Sequence, residues 1–168
     1  TGAGGTITNT SATASKLYIG HQNGASTFAG AINDGLGTVA IEKIGTAALT
    51  LSGTSNFTGG LTQAAGSIIV PATGVLGNTL ITIAANTFTL DGTHGNGAIA
   101  LNGTSTFTGS GTSTGTLTAA SGTTIQVGAA TAGTSATTLG LGGLTISGGA
   151  KINLDFNAAG TVVDKIAT

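Results

Sequence analysis

Leu49-Thr50-Leu51-Ser52-Gly53-Thr54-Ser55-Asn56-Phe57-Thr58-Gly59 returns 50 residues later as Ile99-Ala100-Leu101-Asn102-Gly103-Thr104-Ser105-Thr106-Phe107-Thr108-Gly109. Each copy holds a short strand-like run, a polar residue before Gly, and a Phe set among small polar residues. A strand-and-turn unit recurring on this scale marks a solenoid rather than a compact globule. On that reading Phe57 and Phe107 occupy equivalent positions and stack in related coils.

Composition agrees. Of 168 residues, 31 are Gly and about a fifth are Thr, with a single Pro. Each Gly inside a helix costs about 1 kcal/mol relative to Ala, so long helices are disfavoured. Thr, Val and Ile suit a pleated, half-buried surface. Hydrophobic residues make up 39%, the net charge is −1 and the mean hydropathy is +0.41. Disordered chains instead combine low hydrophobicity with high net charge. Collagen needs Gly at every third position, which is not the pattern here. The four cations, Lys16, Lys43, Lys151 and Lys165, are too few and too scattered to neutralise a phosphate backbone, so nucleic acid is not an expected partner. No run approaches the ~20 apolar residues of a membrane-spanning helix.

Period-two runs predict strands over Leu17–Ile19, Thr38–Ile41, Ala48–Leu51, Ser67–Val70, Leu80–Ile83, Phe88–Leu90, Ala98–Leu101, Thr116–Ala119, Thr124–Val127, Leu144–Ile146, Lys151–Asp155 and Val162–Ile166. In one of them Ile152, Leu154 and Phe156 share a face, which the alternation turns inward. Turns repeat a signature of one polar residue before Gly: Leu51-Ser52-Gly53, Leu90-Asp91-Gly92, Leu101-Asn102-Gly103 and Ile146-Ser147-Gly148. Such pairs also close hairpins, so an antiparallel sandwich or barrel is the alternative fold. The long spacings favour coils. Leu51 to Leu90 spans 39 residues and Leu101 to Ile146 spans 45, room for two turns of roughly 20 residues each.

The segment Leu49–Gly60 resembles the autotransporter-associated β-strand repeat, with Phe57 where that pattern has tyrosine. Ala65–Val70 is similar to the strand that follows the repeat, and Ile41-Glu42-Lys43-Ile44-Gly45 to its lead-in. The likeness covers residues 38–70, with weaker copies over 96–109 and 141–168. It implies a right-handed, single-stranded parallel β-helix in an exported bacterial passenger, and it carries no shared catalytic residues. Residues 1–168 are accordingly expected to form one solenoid segment of a longer exported protein. The initial Thr1, the absence of a secretory signal and the lack of Cys fit that expectation.

Candidate chemical groups are sparse. Asp91-Gly92-Thr93-His94 sets a carboxylate and an imidazole three residues apart, but His21, the other His, is far away in sequence, and a solvated turn is the expectation. Asp34, Glu42, Asp155 and Asp164 are the further carboxylates that a glycosidase pair would need, and no spacing joins any two. Glu42-Lys43 and Asp164-Lys165 read as charges facing water. No nucleophile elbow, calcium nonapeptide, EF-hand loop or phosphate loop occurs. No catalytic, metal or cofactor residues are assigned, and no enzymatic activity or cofactor is expected. Asn9, Asn56 and Asn102 each open an Asn-x-Ser/Thr sequon and are expected at the surface.

Thr-x-Thr triplets at Thr6–Thr8, Thr87–Thr89, Thr106–Thr108, Thr112–Thr114 and Thr116–Thr118 place pairs of hydroxyls on one side of a strand, without even spacing in sequence. The expected role is a structural or adhesive extracellular stalk or fibre at a bacterial surface. A repetitive Thr-rich face for glycan or ice and a filament subunit are the alternatives. Expected partners are further copies stacked end to end and a host or matrix glycan or protein. Membrane insertion of this segment is not expected.

Overall fold

The computed structural model describes residues 4–84, 86–128, 136–155 and 164–168. They form a β-solenoid of about six turns, with no helix. The chain visits three faces in a fixed order. The first face stacks Ser15–Ile19, Val39–Lys43, Leu61–Gln63, Ile81–Ile83, Ile99–Leu101 and the ends of Thr112–Ala119 and Thr137–Ile146. The second stacks Ser26–Phe28, Leu49–Leu51, Ile68–Val70, Thr87–Leu90, Thr106–Gly109, Thr124–Val127 and Lys151–Asn153. The third runs from Thr6–Thr8 and Ala31–Asn33 through Thr54–Ser55, Val75–Leu76 and Thr93–His94. It continues into the starts of the two long strands and ends at Asp164–Ala167.

Every strand pairing among the described residues is parallel; the lone antiparallel contact is an isolated bridge between Gly109 and Gly128. Register explains the spacing of the turns. Leu90 pairs with Val70, and the pairing of Thr50 with Ile69 sets Leu51 beside Val70, so the 39 residues from Leu51 to Leu90 are two coils. Leu101, Ala119 and Ile146 likewise stack in register. These features favour the solenoid over the barrel.

The 50-residue recurrence is not the structural period. Leu49–Leu51 belongs to the second face and Ile99–Leu101 to the first. Phe57 therefore does not stack with Phe107. The partner of Phe107 is Phe88, one coil away, with ring centroids 5.8 Å apart. The copies share local composition because any strand-and-turn of this chain needs an alternating run and a small turn, whichever face it serves.

Alternation fills the interior. Ile41, Leu61, Ile81, Ile99 and Leu117 stack in one buried row, and Leu49, Ile68, Phe88, Phe107 and Ile125 in another. Fully burying such a side chain contributes about 1.5–3 kcal/mol. The rows thin at both ends. Ile152 is in register with buried Ile125 yet 38% exposed, Leu154 is half-buried, and Phe156 lies outside the described residues. Ile7 and Ile146 also continue inner rows and are exposed. Val162 and Val163 fall outside the described residues, and the strand they were expected to open begins at Asp164.

Glycines allow the coils to approach. A Cβ on Gly92 would stand 2.2 Å from the Gly74 carbonyl oxygen, and one on Gly53 2.0 Å from that of Gly30. In both the small side chain serves close stacking, and neither has a positive φ. Gly103, in the same sequence signature, does turn with φ +65°.

Candidate functional site

His94 is not in a solvated turn. It sits on the inner side of the third face, stacked between Leu76 and Ser113, and is completely buried. Its Nε2 lies 2.9 Å from the Thr79 carbonyl oxygen, which only accepts, so Nε2 carries the proton. In the neutral ring Nδ1 then accepts from the Ser113 hydroxyl at 2.9 Å. Burial holds the imidazole below its usual value, and the bond to Thr79 opposes that only in part. The imidazole pins three successive coils, those of Thr79, His94 and Ser113. The Thr79 hydroxyl beside it is buried and takes no hydrogen bond among the described residues. Asp91, three residues earlier, is exposed, so the two candidate groups point away from a common site.

Lys43 is not at the surface either. The strand Val39–Lys43 buries Val39, Ile41 and Lys43 on one side. The ammonium fills the corner between the first and second faces. It donates to the carbonyls of Ile44 at 2.6 Å, Gly45 at 2.8 Å and Ala65 at 3.4 Å. Burial lowers its pKa, while the three carbonyls solvate the charge. Gln63, next in the same row, donates from Nε2 to Gly66 and Thr87 carbonyls.

The carboxylates act as braces. Asp34 accepts from Val39 N at 2.7 Å and, across coils, from Thr58 N at 3.1 Å and Thr58 Oγ1 at 2.6 Å. Desolvation raises its pKa, but these bonds outweigh it and the net shift is downward. Glu42 faces outward and pairs with Lys16 at 3.0 Å. Asp91 accepts from Ser110 N at 3.1 Å. Asp164, expected in water, is buried. It accepts from Thr137 N at 3.2 Å, from the Thr137 hydroxyl and from Asp155 N at 3.1 Å. The bond from Asp155 N thus brings Asp155 and Asp164 side by side, which no spacing in the sequence indicated, and both carboxylate oxygens of Asp164 already accept hydrogen bonds there.

Asparagine amides repeat the pattern. The Oδ1 atoms of Asn23, Asn33 and Asn78 accept backbone N–H groups of Thr46, Asn56 and Asn96 on the next coil, at 2.9, 2.9 and 3.0 Å. Of the three sequons, Asn56 and Asn102 are exposed. Asn9 is buried and bonds the carbonyls of Thr13 and Thr38.

The outer side of the second face carries a hydroxyl grid. Thr87 pairs with Thr106 and Thr106 with Thr124; Thr89 pairs with Thr108 and Thr108 with Gln126. Two Thr-x-Thr triplets thus lie in register on adjacent coils, a regularity their 19-residue offset hides until the coil length is known. With Asp91, Gly109 and Gly128 they line a depression of about 350 Å³. No group of three His, Cys, Asp or Glu side chains suited to a metal ion occurs among the described residues. The chain matches no family model, no curated protein and no solved structure.

Proposed function

We propose that this chain is a non-catalytic segment of an extracellular β-solenoid, a stalk or fibre that projects or joins other parts of a surface protein. One observation carries the reading. Side-chain acceptors in the turns and at a strand end are spent on backbone donors of the next coil, at Asn23, Asn33, Asp34, Asn78 and Asp91. Polar chemistry here stitches the rod along its axis, and each coil is stabilised through its nearest neighbours. A chain without Cys or Arg, with one of its four Lys buried, suits an exposed, protease-rich setting. The resemblance of residues 38–70 to autotransporter-associated repeats favours a bacterial surface passenger.

Deleting Ile81–Ala98 tests this, because Ile99 then takes the register of Ile81. The shortened chain is expected to fold, to lose about 4.8 Å of length by small-angle scattering, and to keep its rupture force when pulled from its ends. Turnover of a polysaccharide or peptide substrate by the full chain, abolished by the deletion, would overturn the reading.

The same reading extends to end-to-end association with a second copy, favoured by Ile7 at 36% and Ile146 at 44% exposure, both continuing buried rows. Sedimentation should show oligomers that Ile146→Lys disperses; monomer at every concentration would exclude it.

A further inference from the structure

We infer that the outer side of the second face, from Thr87 to Gly128, is a binding site for a neutral carbohydrate. The depression there holds about 350 Å³, within the roughly 300–1,000 Å³ range of small-molecule clefts. Its floor is built on the Phe88–Phe107 stack, planes 5° apart, which fixes the strands that carry the hydroxyls. Its rim is kept low at Gly109, where a Cβ would stand 2.0 Å from the Leu90 carbonyl oxygen and φ is +129°. No side chain fits there.

Three hydroxyls of the lining and parts of two further side chains are free to serve a ligand. The hydroxyls of Thr87, Thr89 and Thr106 make no hydrogen bond among the described residues, whereas Thr108 Oγ1 is already given to the Gly128 carbonyl at 2.8 Å. Both bonds to Asp91, from Ser110 N and Ser110 Oγ, end on Oδ1, which leaves Oδ2 as an acceptor. The Gln126 amide stands one coil beyond Thr108; its Nε2 gives one proton to the Val127 carbonyl at 3.3 Å, which leaves its second N–H as a donor and Oε1 as an acceptor.

The chemistry selects the ligand class. Adjacent coils set hydroxyls about 4.8 Å apart, and positions i and i+2 about 6.7 Å apart. Groups that donate and accept at such intervals match the hydroxyls of a sugar chain, and the Thr methyls offer apolar surface to its C–H groups. No cation lines the depression, so phosphate, sulfate and uronate are unmatched. A calcium ion takes six to eight oxygen ligands, normally including several carboxylates, and Asp91 is the single one here. A flat ice-contacting array is disfavoured, because Ile69 and Gln126 interrupt the outer threonine row above and below. With no aromatic ring in the lining, one site binds weakly, and a fibre bearing many copies gains by multivalency.

The test is an NMR titration of the full chain with maltotriose, cellotriose and chitotriose, with trigalacturonate as the anionic control. Amide shifts are expected between Thr87 and Gly128 with a neutral sugar. Thr87→Val/Thr106→Val removes two hydroxyls while keeping shape and should weaken binding at least about fivefold, the equivalent of one net hydrogen bond. Thr62→Val/Thr82→Val on the first face should leave binding unchanged, and equal unfolding midpoints show that both variants fold. The site is overturned by absence of shifts at millimolar sugar, by undiminished binding in Thr87→Val/Thr106→Val, by preference for trigalacturonate, or by thermal hysteresis without sugar binding. None of those results touches the structural reading, which rests on the coil deletion.

Discussion

Phe88 and Phe107 stack face to face, 5.8 Å between centroids and 5° between planes, while Phe57, the residue that sequence repetition pairs with Phe107, packs two coils away. All three rings are completely buried. Alanine at any one of them should therefore cost about 3–5 kcal/mol in urea unfolding. A double-mutant cycle separates the two pairings. Phe88→Ala with Phe107→Ala should show a coupling of about 0.5–1.5 kcal/mol. Phe57→Ala with Phe107→Ala should be additive within about 0.5 kcal/mol. Coupling in the second cycle and none in the first would restore the 50-residue repeat as the structural unit.

The contrast shows what was legible. Most strands of the first and second faces stand out in sequence because they turn two apolar side chains inward, as in Ile81–Ile83 and Ile68–Val70, whereas Ser26–Phe28, Leu61–Gln63 and Thr106–Gly109, with one large apolar side chain inward each, do not. The third face shows no such signal before its last strand, Asp164–Ala167, which the run Val162–Ile166 overlaps. Its middle strands are two residues long, and their inward side chains are Ser55, Leu76 and His94, so no period-two apolar signal survives. The burial of Lys43 is hidden in the sequence for a related reason. Its place in Val39-Ala40-Ile41-Glu42-Lys43 gives it the inward parity of Val39 and Ile41, but charge alone argued for water. Only the corner carbonyls explain the burial, and those arise from turns on two different coils. The Thr grid was equally hidden, since register across coils is a tertiary fact.

Lys43 should be costly to truncate. Lys43→Ala removes the donor from three half-buried carbonyls, where each net hydrogen bond to a charged group is worth about 1.5–3 kcal/mol at most, and opens a cavity. Lys43→Met keeps the volume and should cost less. Thermal unfolding of the two variants gives the order wild type, Met, Ala. A Lys43→Ala protein as stable as wild type would mean the ammonium reaches water.

His94 sets an acid sensitivity. Its folded pKa lies below the free value of 6.5 because the protonated ring is desolvated. The native state therefore binds fewer protons than the unfolded state in the window just under 6.5. Stability is at its full value above that pH and declines as pH falls toward the folded pKa. His94→Gln can still donate to Thr79 and accept from Ser113 but does not titrate. The slope of unfolding midpoint against pH between neutrality and about pH 5 should flatten in that variant. Equal slopes in the two proteins would assign the sensitivity elsewhere.

Gly92 and Gly24 make a controlled pair for coil spacing. A Cβ at Gly92 meets the carbonyl oxygens of Gly74 at 2.2 Å and Pro71 at 2.5 Å, whereas one at Gly24 meets nothing within 4 Å. Neither position has a positive φ, so steric contact is the variable that separates them. Gly92→Ala must push two coils apart where Thr93 N bonds the Gly74 carbonyl at 3.0 Å. The expected loss is about 1–3 kcal/mol, the usual cost of overpacking. Gly24→Ala should be neutral or add about 0.4–1 kcal/mol by restricting the unfolded chain. Hydrogen exchange locates the effect: in Gly92→Ala, protection should fall at Thr93 and at Thr112, whose N–H bonds the Gly92 carbonyl at 3.0 Å, while Ile41 and Leu61 keep theirs. Uniform loss across all coils would mean that the solenoid opens as one unit rather than coil by coil.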